Sequence, residues 1–100
     1  LNNGGGAIFH ALPGLDMAGD TRRFVTASHG ASAAGWAESQ GFTYLRVTDT
    51  VSLLAALDDL LDEAATAPVL LEVFTDAETD AEEQRNYYHA VKEEWKNFLR

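Results

Sequence analysis

Residues 69–74 read Val-Leu-Leu-Glu-Val-Phe, and this almost wholly apolar run decides the fold class of the chain. It follows Pro68 and is typical of a strand that is covered on both faces in a parallel sheet. A second strand is predicted at 42–47, where aromatic and β-branched residues alternate with others along the chain. The two segments therefore predict neighbouring strands of one sheet.

The segment between the two strands predicts a helix from residue 51 to about residue 65. Its leucines recur at helical spacing and form one continuous apolar stripe. Asp49 or Thr50 offers an N-cap. The acidic residues of this segment fall on the opposite face, which we interpret as solvated: Asp58, Asp59, Asp62 and Glu63.

Two further helices flank the strands. One is predicted over 29–40, with Ser28 as N-cap and Gly41 as the terminating residue. The other begins at a capping box formed by Thr79 and Glu82 and continues nearly to the end of the chain. The order helix, strand, helix, strand, helix implies right-handed crossovers, and so an α/β fold with a parallel sheet that is part of a three-layer sandwich.

The first 28 residues predict a different kind of structure, an irregular loop with one short helical turn. They open with Leu1 and then the turn signal Asn2-Asn3-Gly4-Gly5-Gly6, with no predicted element in front of it. Because turns connect elements, we expect that a strand precedes this turn and that the chain is a piece of a longer protein.

Composition excludes several classes of function. The 100 residues include 16 acidic and 7 basic side chains, a net charge of −9 that would repel nucleic acid. Apolar residues make up 46% of the chain, enough for a core, yet no run of them is long enough for a membrane span. The absence of cysteine excludes disulfides and thiolate chemistry, and fits a cytoplasmic protein.

The Asn-Asn-Gly-Gly-Gly run is the strongest candidate for chemistry. Glycines allow close approach of the backbone to an anionic ligand, and an Asn side chain supplies a neutral oxygen suited to Mg²⁺. From spacing alone, a plain Gly-rich turn is the better explanation of the run. The three histidines show no metal-ligand spacing: His10, His29 and His89.

A resemblance favours the first interpretation. Residues 1–9, read with Ala11-Leu12-Pro13, resemble the second half of the motif of thiamine-diphosphate-dependent enzymes, in which an upstream Gly-Asp pair is followed by Asn-Asn. Within that superfamily they are similar to the synthase family of menaquinone (vitamin K2) biosynthesis. The resemblance implies that the chain is the C-terminal part of the pyrophosphate-binding domain, with 1–28 as its cofactor and metal loop and 29–100 as its helix-strand-helix-strand-helix portion.

The resemblance also implies roles for individual residues. Asn3 would bind Mg²⁺ or Mn²⁺ through its side-chain oxygen and Gly5 through its backbone carbonyl. Asn3, Gly5 and Ile8 would contact thiamine diphosphate, and a substrate wall would consist of Ile8, Phe9 and Leu12. The longer protein would be a transferase and a homodimer or homotetramer. It would decarboxylate 2-oxoglutarate and add the succinyl carbanion equivalent to isochorismate.

The resemblance places the remaining ligand and catalytic groups upstream of Leu1. We therefore expect the 100-residue piece to be inactive, and to associate with itself through its uncovered sheet. Two alternatives stay open. The longer protein could be another thiamine-diphosphate enzyme, similar to acetolactate synthase or a 2-oxoacid decarboxylase. The chain could also be a small acidic, non-catalytic interaction module.

Overall fold

The computed structural model of the chain describes residues 1–11 and 20–100. These residues form two compact units, the first from Leu1–Gly4 and Gly30–Thr75, the second from Gly5–His29 and Asp76–Arg100. The elements in chain order are α1 (Ile8–Ala11), α2 (Asp20–Thr26), α3 (Ala34–Ser39), β1 (Thr43–Val47), α4 (Thr50–Leu60), β2 (Val69–Val73) and α5 (Ala77–Phe98).

The first unit is built on a parallel sheet. Strands β1 and β2 pair in register from Thr43 with Val69 to Val47 with Val73, and α4 is the crossover between them. The predicted α/β class and the parallel sheet are therefore confirmed. Both strands end within one residue of the predicted bounds.

Asn2 extends this sheet on the far side of β2. Its amide donates to the carbonyl of Val73 at 2.8 Å, its carbonyl accepts from the amide of Thr75 at 3.0 Å, and it forms a parallel bridge with Phe74. The amide of Phe74 itself points the other way and donates to Val47 in β1 at 2.9 Å. Within the described residues, strand β2 is thus the middle of three adjacent chain segments.

Helix α4 begins where the sequence indicates and ends earlier. The Asp49 carboxylate accepts a hydrogen bond from the amide of Ser52 at 2.7 Å, and the amide of Asp49 donates to the Ser52 hydroxyl. Together the two bonds form a capping box. The predicted end near residue 65 is wrong. Asp62 closes a local turn instead, accepting the amide of Ala64 on its side chain and that of Ala65 on its carbonyl. This local bonding competes with continuation of the helix.

Helix α3 is shorter than predicted because a tertiary contact delays its start. The amide of Ala33 donates to the carboxylate of Glu72, so the helix begins at Ala34 with Ala33 as N-cap, and Ser28 is not the cap. Its end is as predicted. Gly41 follows the last turn at a φ of +78°, a left-handed conformation that glycine adopts without strain.

The second unit contains more helix than the sequence predicts. Helix α2 lies in the segment expected to be irregular, and it ends at a left-handed Ala27 with a φ of +47°. Helix α5 begins at Ala77, since Asp76 rather than Thr79 is its N-cap. The Asp76 carboxylate accepts both the amide and the hydroxyl of Thr79, each at 2.9 Å. The predicted Thr79–Glu82 capping box is therefore wrong.

Few apolar side chains are buried in the described parts of either unit. Ala37, Val47 and Ala56 are buried in the first, and Ala81 in the second. The leucine stripe of α4 is only partly covered, because Leu54 lies exposed on the helix. Large apolar side chains also lie exposed along α5: Tyr87, Tyr88, Val91, Trp95 and Phe98. No helix in the described ranges is long and apolar enough to cross a membrane.

Candidate functional site

The turn after Asn2 lies at the carboxyl edge of the sheet in the first unit. Asn2 pairs in parallel with Phe74, one residue beyond the end of β2. Because the pairing is parallel, the chain leaves the sheet after Asn2 at the edge where β1 and β2 also end. Open α/β sheets bind their ligands at this edge. Asn3 and Gly4 are therefore in a position where a ligand-binding turn is expected.

The side chain of Asn2 fixes the start of this turn. Its Nδ2 donates to the carbonyl of Ala31 and to Oε1 of Glu72, both at 2.8 Å, and its Oδ1 accepts the amide of Gly4 at 3.1 Å. Gly4 has a φ of +73°, which a residue with a β-carbon adopts only at a cost. Asn2 is thus committed to the structure of the turn through both its donor and its acceptor atoms.

Glu72 is the centre of a hydrogen-bond network behind the turn. Its Oε2 accepts from the hydroxyls of Tyr44 at 2.6 Å and Ser32 at 2.7 Å, its Oε1 accepts from Asn2, and both oxygens accept from the amide of Ala33 at 3.1 Å. Only 6% of the residue is exposed. The carboxylate therefore joins β2 to β1, to the segment before α3 and to the turn.

The environment of Glu72 favours its ionised form. Burial raises the pKa of the carboxyl, but the hydrogen bonds from Tyr44, Ser32, Asn2 and Ala33 outweigh burial and lower the pKa to about 2 from its ordinary value of 4.5. The sequence pattern did not predict this network. The only sign of it in the sequence is Glu72, a single acidic residue in an otherwise apolar strand.

This shift makes the stability of the first unit depend on pH. Because the pKa of Glu72 is lower in the folded chain, its stabilising contribution is complete above about pH 4.5 and is lost as the pH falls toward about 2. Glu72→Gln should unfold at a lower temperature than wild type at pH 7. This difference in unfolding temperature should become smaller as the pH falls from about 4.5 toward about 2. Thermal unfolding followed by circular dichroism between pH 2 and 7 measures the difference. Glu38→Gln, an exposed change on α3, is the matched control, and an equal gap at every pH would contradict the assignment.

The two predicted metal ligands belong to different units. Asn3 is half-buried in the first unit, and Gly5 is the first residue of the second. Within the second unit the amide of Gly6 donates to the carbonyl of Thr26 at 2.6 Å, and a β-carbon on Gly5 would lie 3.0 Å from that same oxygen. The close approach of the Thr26 backbone therefore favours glycine at position 5, independently of any ligand.

The predicted substrate wall is only partly described. Ile8 and Phe9 lie in α1 of the second unit with 66% and 36% of their surface exposed, so both are accessible to a ligand. Leu12 lies outside the described residues. Helix α1 packs against α5, where the Arg85 guanidinium donates to the carbonyl of His10 at 3.3 Å.

The chemistry of the turn suits a divalent cation that also binds phosphate. Across the described ranges, no three or more His, Cys, Asp or Glu residues cluster in a way that could hold a metal. An Asn oxygen and a backbone carbonyl are hard, neutral ligands of the kind Mg²⁺ accepts, and this ion commonly fills its remaining positions with phosphate and water. The residues present therefore fit a metal bridged by a diphosphate.

Curated proteins similar to this chain carry a single name. The chain is 52% identical over 93 residues to the 2-succinyl-5-enolpyruvyl-6-hydroxy-3-cyclohexene-1-carboxylate synthase of Bacteroides fragilis. It is 49% identical over 94 residues to the protein of that name from Bacteroides thetaiotaomicron and 36% identical over 80 residues to that from Roseiflexus castenholzii. These alignments cover 92%, 93% and 80% of the chain.

The chain aligns with only a short segment of each of these synthases. It spans 17% of the length of the two Bacteroides synthases and 13% of the Roseiflexus one. No protein-family model matches the chain, and no solved structure matches it. The names of the relatives favour the synthase over an acetolactate synthase, a 2-oxoacid decarboxylase or a small interaction module.

Proposed function

We propose that the chain is the C-terminal part of the pyrophosphate-binding domain of a thiamine-diphosphate-dependent transferase. The longer protein decarboxylates 2-oxoglutarate and adds the succinyl unit to isochorismate in menaquinone biosynthesis. The observation that carries this proposal is the 52% identity to a synthase of that name over 92% of the chain. The proposed location is the cytoplasm, and the proposed assembly is a homodimer or homotetramer.

Asn3 and Gly5 would hold the Mg²⁺ or Mn²⁺ that accompanies the diphosphate. The position of the turn supports this assignment. The side chain of Asn2 is bound to Ala31, Glu72 and the amide of Gly4, which fixes where the turn begins. Asn3 follows directly after the last sheet pairing, at the ligand-binding edge.

The charge of the chain is compatible with an anionic cofactor. The acidic residues are concentrated in the rear half, and no Lys or Arg occurs between Arg46 and Arg85. The turn from Asn2 to Gly6 is neutral. The cation bound to Asn3 and Gly5 therefore balances the diphosphate, and basic side chains at the turn are unnecessary.

The apolar residues after the turn exclude water from the reacting centre. Ile8 and Phe9 lie exposed on α1 and would form the wall beside cofactor and substrate. Leu12, the third predicted member of this wall, lies outside the described residues. Thiamine diphosphate, when bound, supplies the electron sink that decarboxylation requires. A dry wall strengthens electrostatic interactions at that centre and protects reactive species from hydrolysis. The 100-residue piece is inactive by itself, because the remaining catalytic groups lie elsewhere in the longer protein.

An assay of the full-length protein tests the proposed function. With Mg²⁺, thiamine diphosphate, 2-oxoglutarate and isochorismate, we expect release of carbon dioxide in a one-to-one ratio with consumption of isochorismate. Omission of the metal or of thiamine diphosphate should abolish both. Carbon dioxide released from pyruvate instead, with isochorismate left intact, would contradict the proposal and support an acetolactate synthase or a decarboxylase.

A further inference from the structure

Glu72 is buried, yet it contacts Asn2, the residue that directly precedes the proposed metal ligand Asn3. Its Oε1 accepts from Nδ2 of Asn2 at 2.8 Å, and Asn3 is the next residue along the backbone. With 6% of its surface exposed, Glu72 is not itself placed to meet a ligand from solvent. Both of its oxygens already accept hydrogen bonds from the protein, so any influence on the metal site must pass through its partners.

The partners of Glu72 hold it from several directions. Tyr44 comes from β1, while Ser32 and Ala33 come from the segment before α3. A carboxylate with four donors around it has little freedom to rotate. It is therefore a fixed point against which the Asn2 side chain is oriented.

The orientation of Asn2 determines how the turn leaves the sheet. Two bonds from Nδ2 fix the plane of its amide, and Oδ1 then receives the amide of Gly4 at 3.1 Å. The backbone of Asn3 therefore lies between the fixed side chain of Asn2 and the hydrogen-bonded amide of Gly4. Loss of the Glu72 contact removes one of the two bonds that fix this plane, and so loosens the hold of the Asn2 side chain on the turn that carries Asn3.

We propose that Glu72 is a positioning residue for the metal site: through the side chain of Asn2, it sets the direction in which Asn3 is presented to the metal. This inference rests on the proposed function, because it requires Asn3 to be the ligand. It assigns a functional reason for an acidic residue in the most apolar strand of the chain. Groups that orient a metal ligand commonly alter metal affinity by about tenfold or more when they are replaced.

A double-mutant cycle in the full-length protein tests this role. Thiamine diphosphate is titrated by calorimetry at a fixed, subsaturating Mg²⁺ concentration into wild type, Glu72→Ala, Asn2→Ala and the double variant; alanine is used because glutamine would keep an oxygen that accepts from Asn2. We expect about tenfold weaker binding for each single variant, and for the double variant no loss beyond that of Asn2→Ala, since Glu72 acts through the Asn2 side chain. Should Glu72→Ala fail to fold, Asn2→Asp carries the test with the same tenfold loss expected, because it keeps the acceptor for the Gly4 amide and lacks the donor to Glu72.

Tyr88→Phe is the control for an unspecific effect of substitution. It removes an exposed hydroxyl on α5, outside the hydrogen-bond network of Glu72. We expect its cofactor affinity to stay within about twofold of that of wild type. Wild type that binds no thiamine diphosphate would contradict the proposed function itself. Wild type that binds, with unchanged affinity in Asn2→Ala or additive losses in the double variant, would overturn the positioning role alone.

Discussion

Replacement of Asn3 by alanine in the full-length protein should weaken Mg²⁺-dependent binding of thiamine diphosphate by at least about tenfold. The change removes an oxygen that the proposal assigns to the metal, and no neighbouring side chain of the turn is free to substitute. Asn2 is bound to Ala31, Glu72 and Gly4. Calorimetric titration of the cofactor at fixed Mg²⁺ measures the loss.

Two further variants make the Asn3 result specific. Asn3→Asp keeps an oxygen ligand of similar reach, and should retain most of the affinity that Asn3→Ala loses. Asn86→Ala changes an exposed amide on α5 and should bind the cofactor as wild type does. Equal affinity in Asn3→Ala and wild type would exclude Asn3 as a metal ligand.

Replacement of Gly5 by valine should also weaken cofactor binding, for a steric reason. A β-carbon at this position would lie 3.0 Å from the carbonyl oxygen of Thr26, a backbone atom of a residue that is only 4% exposed. One of the two backbone segments must shift to relieve this contact, and overpacking of this kind costs about 1–3 kcal/mol. Because about 1.4 kcal/mol corresponds to tenfold in affinity, we expect at least a tenfold loss if the strain is relieved by moving the turn.

Gly30→Val is the matched control for the steric argument. A β-carbon on Gly30 would meet no atom within 4 Å, and its backbone is not in the left-handed region. Its unfolding temperature and cofactor affinity should stay close to those of wild type. Similar losses in both valine variants would show that the Thr26 contact is not the cause.

Periodicity predicted the sheet well because its signals are local. The apolar run of β2 and the alternation of β1 each gave a strand within one residue of its bounds, and Asp49 was correctly among the candidate caps of α4. The start of α5 was predicted wrongly because two residues near it can act as N-cap, Asp76 and Thr79. Asp76 is the N-cap in the structure, since its carboxylate accepts from both the amide and the hydroxyl of Thr79.

Tertiary contacts explain what the sequence could not predict. The start of α3 depends on Glu72, which lies 39 residues away from Ala33 along the chain and captures its amide. The end of α2 depends on a left-handed alanine, Ala27, and no glycine marks it. At the site, the resemblance indicated Asn3 and Gly5, but the network that holds Asn2 becomes visible only when β1, β2 and the turn are brought together.

A crystal structure of the full-length protein with thiamine diphosphate and Mn²⁺ tests the central claim most directly. Anomalous scattering locates the metal without reference to its ligands. The account predicts a manganese peak at coordination distance from both the side-chain oxygen of Asn3 and the carbonyl oxygen of Gly5. A bound cofactor whose metal contacts neither of these oxygens would contradict it.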